Sequence, residues 1–258
     1  MLISLVLPKN RSTLILKEYR NLFKSSNDQK FLIADSQDEL RILIFATPKG
    51  LKVLQKSNCW HVDGTFKSCP NLYAQVFTIH CWYFDQMFPC VYILLVKKDF
   101  DIYKRILDML KVYLPALRGP EIFVSDFETT SIKAFNHCLT VNVTRVSEPV
   151  TNNHLEGWHS KLNRWSKKAH PDVYSLIDLF KSLDSSFFDL LEKRKSSEVG
   201  PERDPNMVKK YEDHRILNEN RIKSLITLKD YLEKASTLKS YSILSILNLS
   251  IFVFVSKI

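Results

Sequence analysis

NCWHVDGTFKSCP, residues 58–70, decides how the chain folds. Its middle alternates: Val62, Gly64 and Phe66 fall on one side, and Asp63, Thr65 and Lys67 on the other. A period of two predicts a β-strand. Yet Asp63 stands in mid-strand, where aspartate is depleted. Burying a carboxylate without a partner is costly or forces its protonation. Either a neighbour pairs with Asp63, or the residue is there to hold a cation. Gly64 beside it has no side chain, which leaves room for a backbone or a phosphate to approach.

Two further strand-like runs follow. AQVFTIHCWYF comes after a Pro-Asn turn, and MFPCVYILLV after the Asp85-Gln86 connection. Short links between successive strands predict an antiparallel meander. Upstream lie an apolar run, RILIFAT at 41–47, and a helix around GLKVLQKS. Downstream the period changes. Ile102, Ile106, Met109, Leu110 and Tyr113 recur at helical spacing, and Pro115 ends that helix. GPEIFVSDF is a short strand with Asp126 at its end, ETTSIKAFNHCL a helix, and TVNVTRV a β-branched candidate strand.

Thr151 or Asn152 then caps another helix. Its apolar seam is Leu155, Trp158, Leu162 and Trp165, and its polar stripe is Asn152, Glu156, His159 and Asn163. Amphipathic helices are expected at 173–195 and 205–235, with Gly200-Pro201 between them. The order β-β-β-α-β-α-β-α followed by helices predicts an α/β mixed sheet with helices on its faces. The expected organisation is an N-terminal segment at 1–30, a core at 31–170, a helical region at 171–240 and an apolar tail at 241–258.

Composition bounds the class. Hydrophobic residues at 45% and charged residues at 25% are ordinary for a globular protein. The net charge of +9 favours a polyanionic partner or, equally, a solvated basic surface. Five cysteines, an odd number with no Cys-x-x-Cys pair, fit reduced thiols in an intracellular protein. They argue against a disulfide frame and against a zinc site. The N-terminal apolar stretch is broken by Pro8 and does not read as a secretory signal. The tail from Ile243 to Val255 is short for a spanning helix and suits a strand, so a membrane is not the expected partner. A tail anchor is the alternative there.

The acids Asp63, Asp126 and Glu156 are far apart in sequence, but this topology could bring them together. The first strand of the meander and the strand ending at Asp126 are natural neighbours, and the helix bearing Glu156 can lie across their ends. Converging carboxylates repel one another unless a cation sits among them, and hard oxygen donors suit Mg²⁺ or Mn²⁺. Two such ions about 4 Å apart serve phosphodiester cleavage.

The motifs RILIFAT at 41–47, WHVDGTFKSCPNLYAQVFTIH at 60–80, PEIFVSDFETTSIKAFN at 120–136 and TNNHLEGWHSKLN at 151–163 resemble Mutator-like element transposases of the DDE superfamily. The resemblance covers roughly residues 31–170. It implies a ribonuclease-H-like core, a metal-binding and catalytic triad of Asp63, Asp126 and Glu156, and DNA cleavage and strand transfer with two Mg²⁺ or Mn²⁺ ions. DNA, a homo-oligomeric partner and a nuclear location follow from that role. In the family a Cys-x-x-His motif and a helical insertion separate the second aspartate from the glutamate. Here only positions 127–155 do, and His137 and Cys138 are adjacent. That shortening raises a second reading, a domesticated and catalytically silent DNA-binding protein.

Other residues have plainer readings beside functional ones. Asp126 also suits a helix N-cap, and Glu156 and Glu128 suit first-turn acids. His159, one turn after Glu156, could touch metal or phosphate, or be a hydrogen-bonded histidine. Lys161, Arg164, Lys167 and Lys168 could counter phosphate charge or form a solvated face. Trp158 and Trp165 read as core.

Overall fold

The computed structural model describes residues 29–84, 86–115, 117, 119–120, 122–125, 129–139, 153–166, 168–197 and 223–237, with isolated positions between 209 and 220. Six strands form one sheet: β1 (Leu32–Asp35), β2 (Leu43–Phe45), β3 (Cys59–Thr65), β4 (Gln75–Tyr83), β5 (Gln86–Leu95) and β6 (Ile122–Ser125). The helices are α1 (Pro48–Lys56), α2 (Phe100–Tyr113), α3 (Thr129–Cys138), α4 (Asn153–Trp165), α5 (Val173–Ser197) and α6 (Leu228–Thr237). The strand order is β1-β2-β5-β4-β3-β6. The expected α/β mixed sheet flanked by helices is therefore present.

The meander is as expected. β3 pairs antiparallel with β4, and β4 with β5. Pro70 turns the chain between the first two, with the Tyr73 amide donating to its carbonyl at 2.9 Å. β6 lies parallel to β3, reached through α2, in the register Cys59↔Ile122 to Val62↔Ser125. The candidate strand TVNVTRV lies outside the described residues.

Two elements depart from the expected pattern. β1 is an added strand that pairs antiparallel with β2. Its signal is weak because LIAD is short, and its end is pinned by a side chain rather than by alternation. The Arg41 guanidinium donates twice to the Asp35 carboxylate, at 2.9 and 2.7 Å. The second is the helix expected over 205–235, which is interrupted: residues 223–226 form a turn, and Ser224 has φ +57°. A new helix starts where Thr227 and Asp230 cap each other reciprocally.

Caps explain the other helix starts. Thr47 Oγ1 accepts from the Gly50 amide at 3.1 Å, with Pro48 in the first turn of α1. Asp99 accepts from the Ile102 amide at 2.9 Å at the start of α2. Gly50 is needed where α1 meets β5, because a Cβ there would come 2.7 Å from the Cys90 carbonyl oxygen.

The sheet separates two apolar clusters. Val62, Phe77, Ile79 and Ile93 pack with Ile102, Ile106 and Leu110 of α2 and Ala134 and Phe135 of α3. Leu43, Phe45, Val76, Tyr92 and Leu94 pack with Trp158 and Leu162 of α4 and Leu176, Ile177 and Phe180 of α5. Each fully buried large apolar side chain contributes about 1.5–3 kcal/mol of transfer free energy. Alternation along β3 thus sends Val62 to the α2/α3 side and Asp63 to the α4 side.

Candidate functional site

On the α4 side, β3 and β4 set polar residues opposite one another. Asp63 faces Thr78, and His61 faces His80. Such partners have Cβ atoms about 4.5–5.5 Å apart. Thr78, His61 and His80 are all buried, so this is a polar patch inside the molecule. α4 covers it. The Trp158 ring meets the His80 ring edge-on at 4.7 Å and lies 6.2 Å from Tyr92.

Asp63 has the partner its position demands. His159 Nε2 lies 3.0 Å from Asp63 Oδ2, and the two side chains keep only 12% and 16% of their exposure. Asp63 Oδ1 accepts from the Gly64 amide at 2.7 Å. The His159 contact is close but out of line, because neither ring nitrogen of His159 makes an aligned hydrogen bond. His159 therefore points into the sheet end and not to solvent. Asn163, one turn further on the same stripe, accepts from the Ser68 hydroxyl and ties α4 to the loop after β3. The backbone amide of His170 donates to Lys67 O at 2.9 Å and anchors the chain beyond α4 to that loop.

The other histidines complete the patch. His80 Nε2 lies 3.0 Å from Thr78 Oγ1. Burial, then the neighbouring His159 and His61, holds the His80 pKa well below the ordinary imidazole value. His80 is thus neutral, and its buried Nδ1 has no hydrogen-bond partner. His61 Nε2 lies 3.4 Å from Cys59 Sγ. Neither His61 nor His80 stands out in sequence, because both sit inside apolar strands. The available signal was the parity of His61 with Asp63, since positions 61 and 63 share a strand face; His80 joins them only through the β3–β4 register.

The remaining expectations divide. Asp126 and Glu128 lie outside the described residues, as do Thr151, Asn152 and Lys167. Glu156 lies in the first turns of α4, and its side chain is outside what is described. The described members of the triad region are thus Asp63 and the backbone of α4. Among the described residues, no group of three or more His, Cys, Asp or Glu side chains is arranged to hold a metal ion. Asp63 Oδ2 and the His159 imidazole are nonetheless donors of a kind that fits a divalent cation, one hard oxygen and one ring nitrogen.

Two expectations are corrected. The space over Gly64 is not open to a phosphate, because a Cβ there would overlap the Gln75 carboxamide. Gln75 is itself buried and accepts from the Tyr103 hydroxyl at 3.3 Å. The glycine leaves the room that the Gln75 side chain fills. Trp165 is not core: it keeps 40% exposure. It stands in the last turn of α4 and takes the Lys161 ammonium over its ring at 4.5 Å. Lys161 also reaches the Phe187 ring of α5 at 5.1 Å. Its charge is partly spent within the fold, whereas Arg164 and Lys168 are exposed. Lys168 sits 3.9 Å from Asp172.

All five cysteines are free. Burial pushes the Cys69 thiol up to about 12, which keeps it protonated and unreactive. Among the described residues no helix is long and apolar enough to cross a membrane. Compared with family models, curated proteins and solved structures, the chain matches none of them.

Proposed function

We propose that this chain is a Mutator-like element transposase domain with a ribonuclease-H-like core, acting on DNA phosphodiester bonds. The observation that carries the reading is the parallel β3–β6 pairing. It ends at Val62↔Ser125, and each of these residues is followed in sequence by an aspartate, Asp63 and Asp126. α4 supports it from the other side, since it reaches Asp63 through His159. Position 156 is one turn N-terminal to His159 on the same helix face.

In this reading Asp63, Asp126 and Glu156 would hold divalent ions, which would supply Lewis-acid activation of water and stabilisation of the leaving oxygen. The chain's own residues position that chemistry. The Gly64 amide fixes one Asp63 oxygen and leaves the other directed at α4. The buried His80 and Trp158 hold α4 down over the strand and keep water from that side. Exposed Arg164 and Lys168 lie beyond the site, where they counter phosphate charge. DNA is the partner, and the nucleus is the compartment that follows from it.

One observation favours the silent DNA-binding alternative. The Asp63 carboxylate is already engaged by His159 and the Gly64 amide. Mn²⁺-dependent nicking of supercoiled DNA separates the two readings. The expected result is that wild type nicks, while Asp63→Asn and Glu156→Gln, both folded, do not. Folded wild type that binds DNA without cutting it would transfer the assignment to the silent binder.

A further inference from the structure

Among the described residues, His159 is in direct contact with Asp63, and the transposase reading leaves its chemistry unused. Its ring is largely buried, with both nitrogens shielded from solvent and neither in an aligned hydrogen bond. A buried imidazole left so is costly, and such an orphan calls for an explanation. The nearest polar neighbour is the Asp63 carboxylate, 3.0 Å from Nε2 but out of line for a hydrogen bond; Trp158 meets the ring edge-on at 5.1 Å, and His80 is committed to Thr78.

We propose that His159 is a metal ligand that shares a divalent ion with Asp63 and tunes the site toward Mn²⁺ and related transition ions over Mg²⁺. This rests on the reading of Asp63 as a metal-holding carboxylate. The spacing fits: two donors bound at about 2.1 Å on adjacent corners of an octahedron stand about 3.0 Å apart. His159 Nε2 and Asp63 Oδ2 are separated by that distance. The out-of-line contact fits too, because a shared ion needs both lone pairs directed at a point beside the Nε2–Oδ2 line. A direct hydrogen bond would direct them along it. The chemistry then sets the preference. Mg²⁺ takes oxygen donors and keeps its waters, whereas first-row transition ions accept imidazole nitrogen, Mn²⁺ the most weakly of them. The helix supplies the rigidity, since Trp158 and Leu162 anchor α4 in the core and Asn163 ties its next turn to Ser68.

The test is metal binding by the full chain without DNA, with Mn²⁺ and Mg²⁺ titrated separately by calorimetry. Wild type, His159→Gln and Asp63→Asn are compared after circular dichroism shows each to be folded. The expected result is a Mn²⁺:Mg²⁺ affinity ratio that falls about tenfold or more in His159→Gln, with binding of both ions lost in Asp63→Asn. An unchanged ratio in His159→Gln, with binding lost in Asp63→Asn, overturns the role of His159 and leaves the Asp63 site standing. Mn²⁺ binding untouched by Asp63→Asn overturns the metal reading itself, and this inference with it. Should His159→Gln not fold, pulsed electron spin resonance of Mn²⁺ on wild type decides. A coupled imidazole nitrogen supports the ligand, and its absence sinks it.

Discussion

The two faces of the β3–β4 pair are built from the same strands and obey different rules. Toward α2 and α3 they present Val62, Phe77 and Ile79, all apolar and buried. Phe77 packs on Tyr103 at 5.1 Å and on Phe135 at 6.4 Å. Toward α4 they present His61, Asp63, Thr78 and His80, three of them fully or almost fully buried, under Trp158 and His159. The first face gains transfer free energy at Val62, Phe77 and Ile79. The second gives much of it up to hold polar groups out of water. A fold needs only the first kind of face, so the second points to function.

The contrast extends to α5, which packs beside α4. Asp184 is buried there, with the Thr47 hydroxyl 3.4 Å away. Burial raises its pKa to about 7, against the opposing pull of Thr47 and Lys49. The Tyr92 hydroxyl, influenced by the same carboxylate, is buried with no hydrogen-bond partner. The α4/α5 side therefore carries several groups that cost stability.

Substitutions can break this contrast, and the largest effect belongs to the apolar face. Phe77→Ala should cost about 3–5 kcal/mol, the usual range for a buried aromatic. Urea denaturation read by circular dichroism measures it, and a loss under about 1 kcal/mol would mean that face is loosely packed.

Asp184→Asn should act with the opposite sign and depend on pH. The folded state keeps a proton on Asp184 up to about pH 7, while the unfolded chain releases it near the ordinary carboxylate value. Stability must then fall as pH rises between those two values and level off above the upper one. The asparagine variant should lack that slope and be more stable than wild type at pH 8, on the order of a few kcal/mol. At pH 4 the two should be nearly equal. Parallel stability–pH curves for wild type and variant would contradict this account.

His80→Leu should change stability least, by about 1 kcal/mol or less in either direction. It exchanges one hydrogen bond and one orphan nitrogen for apolar contact of similar volume. A loss as large as that of Phe77→Ala would show that the polar face is a structural network, and would dissolve the contrast.

Legibility followed the same division. The meander, α2, α3, α4 and the parallel return to β3 were readable because period-two and period-3.6 patterns over long apolar runs leave little choice of face. β1 was not readable, since four residues held by an Arg41–Asp35 pair carry almost no periodicity. Nor was the break at 223–226, where no proline or glycine marks the turn that Ser224 makes with its positive φ. At the site, the sequence singled out Asp63 and placed His159 on the stripe of α4. It did not single out His61, Thr78 and His80, because a polar residue inside an apolar strand has no pattern of its own.

By itself the sequence determined which residues alternate and where the meander strands and the long helices of the core lie. It also posed the problem of Asp63, because these are properties of local sterics and of a single chain's polarity. Only the tertiary structure decided the partners. Cross-strand register set Asp63 against Thr78 and His61 against His80. The crossing of α4 brought His159 to Asp63 across a long stretch of chain. The Gln75 side chain, folded over Gly64, took the space there and left none for a ligand. These depend on distances between segments, and packing sets those distances only when all the segments are assembled together.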